Sequence, residues 1–445
     1  MRSSLHTYHR PEGEIQRVQR VELDDWQSLD FLRPQPSPEA LPRIAALFRD
    51  FFVKQYPYLY GRLVFFRLPA AREIPALHDE RTEFFDPYAQ VTELFRRSIR
   101  RKGKELLFLR EDVRKYYEKL KEDGDLLEAE GKLPTLRFLP LGERFGFLGE
   151  TEPDAALKVN AHFFVMDQWD CVSVYDRLGT AVGLCLKDGR ILNPPAFERE
   201  VLRVDREGKV SIGTFPLEQI TVSVGEKSFR DGENARFYTR LKGRRTAPGG
   251  NDLILGEDRL LAVHKGGRSE IPSGGMIIKT EEKAPAGKEV RYSGGEELQF
   301  ALQAGNSAVI EGVPVTSFHS PFYRFWHFWE ASYPPAMYPL NYRKDRAPRI
   351  ILGADQEDRP LLLWFEGAAK IGHVPGKDSC GATLQEAAET AAQLGMYNGI
   401  HLDGGGSAQI LLENERRLLL SDRDPLTLQE QERPIPLGLI VRRGN

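Results

Sequence analysis

The chain has 445 residues, 41% of them hydrophobic and 29% charged, and a formal net charge of −3. That length favours two domains over one small core. The composition is that of a globular protein, and the charge balance argues against nucleic acid as an obligate partner. The three cysteines, Cys171, Cys185 and Cys380, form no Cys-x-x-Cys pair. This excludes a disulfide framework or a cysteine zinc site and suits a reducing compartment.

The opening stretch, MRSSLHTYHRPEGEIQRVQRVELDDW, contains no apolar core of a secretory leader, so the cytoplasm is the expected location. No apolar run reaches membrane-spanning length. Proline-rich RPQPSPEALP then leads into a predicted helix. Ser37 is placed to cap it and Pro38 to sit in its first turn, with Leu41, Ile44, Ala45, Leu47 and Phe48 as its apolar stripe. A second helical stretch is expected from about Asp86 to Glu130, interrupted at Gly103 and Gly124. Its basic cluster of Arg96, Arg97, Arg100, Arg101, Lys102 and Lys104 reads as a solvated helix face balanced by the acids that follow, with phosphate contact as the alternative. Residues 1–150 are therefore expected to form a mainly helical N-terminal domain of unassigned role.

From about residue 155 the chain turns into short apolar runs separated by Gly, Pro, Asn and Asp. TAVGLCL-KDGR-ILN predicts two strands joined by a Lys-Asp-Gly turn. RVD-REGK-VSI, ITVSVG, DLILGEDRLLAVHKG, GGMIIKT and PLLLWFEG continue the pattern. One helix interrupts it at 383–394, where Thr383 and Glu386 have capping-box spacing and Gly395 marks the stop. Residues 151–445 are thus expected to be an α+β domain of mostly antiparallel sheets with a few packed helices.

That helix leads into MYNGIHLD, a predicted strand that delivers Asp403 to three consecutive glycines and Ser407, before SAQILLE leaves as the next strand. Three glycines in a row carry an entropic cost that calls for a reason. One reason is close approach of bare backbone to an anion or a sugar beside Asp403. The other is a crowded corner or plain hairpin, with Asp403 bonding its own turn. Spacing alone does not separate them.

The order of several distant segments does. VNAHFF (159–164), SGGMII (273–278), APRIILG (347–353), FEG (365–367), TLQEAAETAAQLG (383–395), HLDGGGS (401–407) and ERPIPLGLIV (432–441) together resemble the phosphodiester glycosidase family over about residues 155–445. Ile350 and Ile351 replace the family's Thr and Ala. His162 stands where a small residue is usual, and Glu366 where Asp is common. Members of that family are often exported.

The resemblance implies hydrolysis of the bond between a sugar's anomeric carbon and a phosphate bearing a second substituent. The expected partner is thus a small-molecule or glycan substrate carrying a sugar phosphate. Phosphate leaves readily, so the site needs less acid catalysis than an ordinary glycosidase. It still needs a cation or amide nest for the developing charge and a carboxylate at the anomeric centre. Arg349 is the expected phosphate ligand, because a guanidinium holds two phosphate oxygens at once. Asp403 is the expected catalytic carboxylate, with Glu366 as its partner. The amides of Gly404, Gly405 and Gly406 and the Ser407 hydroxyl would line the pocket. Asn160 and His162 are candidates for sugar contacts or proton transfer, with a structural imidazole as the alternative for His162. Glu386 is assigned to the capping box only.

GRRTAPGGNDLILG (243–256) reads as a surface loop entering a strand, with a phosphate site as its alternative. Aromatic FHSPFYRFWHFWE (318–330) reads as core or interface, with sugar stacking as its alternative. No motif demands a metal or cofactor. Two other functions fit the sequence: a non-catalytic carbohydrate or phosphoglycan binder on the same fold, and a nucleotide or nucleic-acid phosphodiesterase that recruits substrate through the basic helix.

Overall fold

The computed structural model describes residues 1–44, 144–165, 179–195, 200–239, 245–272, 274–316, 346–367, 376–423 and 429–443, with isolated positions at 47, 175, 242, 243, 374 and 427. Every strand-to-strand pairing among them is antiparallel. The mostly antiparallel, helix-poor architecture therefore stands. The expected helix over 86–130 with its basic cluster, Cys171 and the aromatic stretch 318–330 all lie outside the described residues.

A seven-stranded sheet has the order Arg2–His9, Ile15–Glu22, Pro360–Phe365, Arg349–Ala354, Asn398–His401, Ser307–Ile310, Val313–Pro314. A four-stranded sheet has the order Ile410–Leu412, Ala155–Asn160, Gly438–Arg442, Leu29–Leu32. RIILGA and PLLLWF are buried at every position because both faces of the larger sheet are covered. On one face Ile351, Leu361, Leu363 and Phe365 meet Ala387, Ala388 and Ala391 of the helix Leu384–Gln393. On the other, Ile350, Leu352, Leu362 and Trp364 join Leu157, Val159, Ile410 and Leu439 of the four-stranded sheet in one core. A strand buried on both sides reads as a continuous apolar run rather than an alternating one.

The remaining strands form five-, four- and three-stranded sheets over residues 185–302. The five-stranded one presents Phe300, Leu302 and Val204 to the central core. It turns Leu186, Val201 and Ala301 to a second core shared with Val222, Phe237, Leu253 and Ile278. The predicted hairpin is there, with Cys185–Lys187 and Arg190–Asn193 joined by Asp188 (φ 50°) and Gly189 (φ 80°). Positive φ at both loop residues matches the right-handed twist of the flanking strands.

The helix has both halves of its capping box: the Glu386 amide donates to Thr383 Oγ1 (3.1 Å) and the Thr383 amide to Glu386 Oε2 (2.9 Å). Glu386 does more than cap, since its carboxylate also pairs with Arg346 Nη2 at 2.6 Å. Gly395, with φ 92°, ends the helix as expected.

The helical expectation for the N-terminal region fails over residues 1–32, which contribute three strands to the two sheets. In IQRVQRVE the apolar residues Ile15, Val18 and Val21 fall at helix-like intervals of three. The segment is nevertheless a strand because it pairs with Pro360–Phe365. Pairing with a strand more than three hundred residues away overrides local periodicity. Of its buried glutamines, Gln16 Nε2 donates to the Gly381 carbonyl (3.0 Å) and Gln19 Nε2 to Ser3 Oγ (3.2 Å). Further on, residues 40–44 are helical, and Ser37 Oγ accepts the Ala40 amide at 3.2 Å, as the capping pattern predicts.

Candidate active site

Strand register assembles the site. Arg349 lies opposite Phe365 in one pairing, and Ile351 lies opposite His401 in the other. Carried two residues further, the second register sets Asp403 against Arg349. The Leu402 amide still donates to the Ile350 carbonyl there (2.8 Å). On the next strand over, Val18 faces Phe365, and the Glu366 amide donates to the Arg17 carbonyl (2.9 Å). Arg17, Glu366, Arg349 and Asp403 therefore gather at one end of four neighbouring strands.

The glycines are not a hairpin. Asn398–His401 belongs to the seven-stranded sheet and Ile410–Leu412 to the four-stranded one, so residues 402–409 carry the chain between sheets. Each glycine is required by its own surroundings. A Cβ on Gly404 would sit 2.7 Å from the Pro348 carbonyl oxygen, Gly405 has φ +59°, and a Cβ on Gly406 would fall on the Arg433–Asp422 ion pair. Two of the three amides act within the chain: Gly404 N–H bonds the Asp403 carboxylate and Gly405 N–H the Pro348 carbonyl (2.9 Å). The crowded-corner explanation thus accounts for the glycines, and the loop holds Asp403.

Asn160 ties this loop at both ends. Its Nδ2 donates to the Asp403 carbonyl (2.7 Å) and its Oδ1 accepts the Gln409 amide (2.9 Å). The expected sugar-contacting residue is instead the clamp that positions Asp403. Asn160→Ala should strip two buried backbone groups of their partners and cost about 3 kcal/mol. Urea unfolding of the variant would measure the loss.

Asp403 is buried, and burial raises its carboxyl from the ordinary 3.8 to about 7. Bonds from the Ser407 hydroxyl and the Gly404 amide, and the charge of Arg433, oppose the rise without cancelling it. Arg433 is fixed by Asp422, with Nε to Oδ2 at 2.9 Å, and its Nη1 reaches Ser407 Oγ at 3.4 Å. Ser407 is therefore a link between Asp403 and Arg433. Arg349, 4% exposed, anchors its Nε on the Ala382 carbonyl at 3.1 Å. Its charge and burial together hold His401 neutral, with a pKa pushed down to about 3, burial being the larger cause.

Glu366 is differently employed. Oε2 accepts Arg17 Nη1 (2.7 Å) and Oε1 accepts the Leu419 amide (2.7 Å). Both oxygens of this buried carboxylate are bonded, one to the N-terminal strand and the other to the 419 segment. His162 is fully buried and its Nδ1 bonds the Phe163 carbonyl (2.9 Å). Burial lowers its pKa to about 4, so the structural alternative describes it. In the 243–256 stretch, Asp252 is wholly buried, bonded by Thr246 Oγ1 and paired with Lys279 (3.3 Å).

Arg433, Asp422, His401 and Arg17 escaped the sequence reading as site residues. Arg433 was legible in principle, since it lies within the ERPIPLGLIV segment quoted for the resemblance. Asp422 and Arg17 stand in no recognisable motif, and only pairing brings them in. Among the described residues, no group of three or more His, Cys, Asp or Glu is arranged to hold a metal ion.

The decisive comparison is with family models. Residues 256–442 match the phosphodiester glycosidase family. Arg349, Glu366, Asp403, Ser407 and Arg433 fall inside the phosphodiester glycosidase match, while Asn160 and His162 precede it. No curated protein matches the sequence. Among solved structures, a hypothetical protein from Synechocystis is 16% identical with a TM-score of 0.41, over 99% of this chain and 62% of that one. A Burkholderia pseudomallei protein described as exported is 16% identical with a TM-score of 0.35, over 65% of this chain and 66% of that one. This chain thus spans just under two thirds of the length of each. The zebrafish N-acetylglucosamine-1-phosphodiester α-N-acetylglucosaminidase catalytic domain, auto-inhibited by its pro-peptide, is 15% identical with a TM-score of 0.24, over 60% of this chain and 89% of that one.

Proposed function

We propose that this chain hydrolyses a glycosyl phosphodiester at the Asp403 site. The observation that carries the reading is a buried carboxylate with a pKa of about 7, just beyond the end of the strand paired with Arg349–Ala354 and coupled through Ser407 to Arg433, inside the phosphodiester glycosidase match. A group titrating near neutrality is suited to proton transfer.

In the proposed reaction, ionised Asp403 takes a proton from water as the water oxygen bonds to the anomeric carbon. The bond from that carbon to the phosphate oxygen breaks, and its electron pair leaves with the phosphate. A singly charged diester thereby becomes a monoester that gains about one negative charge. Arg349 and Arg433 stabilise this added charge, which is present in the transition state more than in the bound substrate. Glu366 takes no proton in this scheme and keeps Arg17 in place.

The test is sugar release from a panel of glycosyl-1-phosphodiesters by the native chain and by Arg433→Gln. Turnover is expected for at least one member, with kcat/KM falling about 10²-fold in the variant, as when one charge-stabilising donor is removed. Absence of turnover across the panel by folded protein, or an Arg433→Gln variant as active as the native chain, would overturn the reading.

A further inference from the structure

Arg433 stands between two carboxylates. Asp422 is bonded directly: one oxygen, Oδ2, accepts both Nε (2.9 Å) and Nη2 (2.8 Å) of the guanidinium. Asp403 is reached only through Ser407, whose hydroxyl bonds the Asp403 carboxylate and whose Oγ lies 3.4 Å from Arg433 Nη1. Direct, charge-assisted contact with a carboxylate is the stronger arrangement for a guanidinium. The two acids therefore compete for one cation, and the fold gives it to Asp422.

The segment 419–422 is stapled in place to do this. The Leu419 amide donates to Glu366 Oε1 (2.7 Å), Ser421 Oγ donates to the Gly405 carbonyl (3.1 Å), and the Asp422 carbonyl accepts the Gln431 amide (2.9 Å). These bonds set Asp422 against the glycine loop on one side and against the stretch leading to Arg433 on the other. Gly406 has no side chain to keep them apart, and a Cβ there would fall on the ion pair. The Arg433 side chain is 11% exposed and that of Asp422 25%. Asp422 thus offsets a charge that would otherwise act on Asp403 with little screening by water.

The other charged and titratable groups around Asp403 are already placed. Arg349 is tied to the Ala382 carbonyl (3.1 Å), and Glu366 is bonded by Arg17 and the Leu419 amide. His401, on the strand leading to Asp403, is kept uncharged chiefly by burial. So is His162, which follows the Ala161 carbonyl that accepts the Asp403 amide (3.1 Å).

We infer that Asp422 is a positioning residue, which holds the Arg433 guanidinium on the Ser407 hydroxyl and off the Asp403 carboxylate. This deepens the reading of Asp403 as the proton acceptor, and rests on it. With Arg433 so held, its charge lowers the Asp403 carboxyl less than burial raises it.

The test needs no substrate. Urea unfolding from pH 4 to 9 compares each protein with its own Asp403→Asn counterpart, and the pH at which their difference stops falling reports the folded-state titration of Asp403. Asp422→Asn keeps the size and removes the charge, so the guanidinium turns to Asp403 and this pH should drop by about one unit or more, about tenfold in proton affinity. Arg433→Gln should raise it. Asp422→Asn/Arg433→Gln should match Arg433→Gln, because Asp422 acts only through Arg433. An unchanged or raised value in Asp422→Asn would overturn the inference. So would a double variant displaced from Arg433→Gln by as much as Asp422→Asn is from the native chain, since Asp422 would then act on Asp403 directly as a like charge. Where a glycosyl phosphodiester turns over, the rising limb of kcat/KM against pH should move with the same shift. Absent turnover beside the expected shifts would overturn hydrolysis at Asp403 while upholding the placement of Arg433 by Asp422, so the two failures are told apart.

Discussion

Asp403→Asn is expected to lower kcat on a glycosyl phosphodiester by about 10²–10⁴-fold, the usual contribution of a positioned general acid or base. In the native chain kcat/KM should rise with pH through about 7, because the ionised form takes the proton from water. The same group shapes stability in the opposite direction. Its folded pKa is raised above the unfolded value, so the folded chain keeps a proton that the unfolded chain has already released. That contribution is complete below about pH 4 and is lost as pH rises through about 7. A shift from 3.8 to about 7 corresponds to about 4 kcal/mol. The asparagine variant has no such proton to lose, so its stability should be flatter between pH 4 and 8 and should exceed the native value at the upper end. Urea unfolding at pH 4, 6 and 8, beside the pH–rate profile, checks both halves. A native chain whose stability relative to the variant does not change over that window would show that Asp403 is not raised.

The second large effect is expected far from any motif. Arg17→Met leaves Glu366 buried with only the Leu419 amide, and stranding one member of a buried ion pair costs about 3–5 kcal/mol. The strand Ile15–Glu22 would lose its side-chain anchor at the site end of the sheet, where Arg17 Nη2 also reaches the Lys377 carbonyl (3.0 Å). Arg17→Met/Glu366→Leu, which removes both charges, should recover much of the loss, since a pair replaced by apolar residues leaves no stranded charge. Thermal and urea unfolding of the three proteins measures this. Turnover separates the two roles open to Glu366: a positioning residue predicts that the double variant regains activity with its fold. A catalytic residue predicts a refolded but inactive protein, which would restore Glu366 to the chemistry.

Local sequence fixed the short-range features. The capping box at Thr383 and Glu386, the Gly395 stop and the Asp188-Gly189 turn each depend on residues within a few positions of one another, so their chemistry is written in the local string. The apolar run PLLLWF likewise announced a strand, and the order of segments around HLDGGGS pointed to the phosphodiester glycosidase family and to Asp403 and Arg349.

What the string did not carry was partnership. IQRVQRVE has helix-like spacing and becomes a strand because Pro360–Phe365 presents it with an edge. Glu366 resembles a second catalytic acid until Arg17 and the Leu419 amide occupy both its oxygens. Asn160 resembles a ligand contact until it is seen to bind both ends of the glycine loop. The three glycines suggested a phosphate nest, yet each is explained by a neighbour distant in sequence or by backbone angle: Pro348, a left-handed turn, and the Arg433–Asp422 pair. Hydrogen bonds and ion pairs consume donors and acceptors one at a time. Residue type therefore shows what a side chain is able to do, and only the tertiary structure determines which of those capacities its neighbours have already taken up.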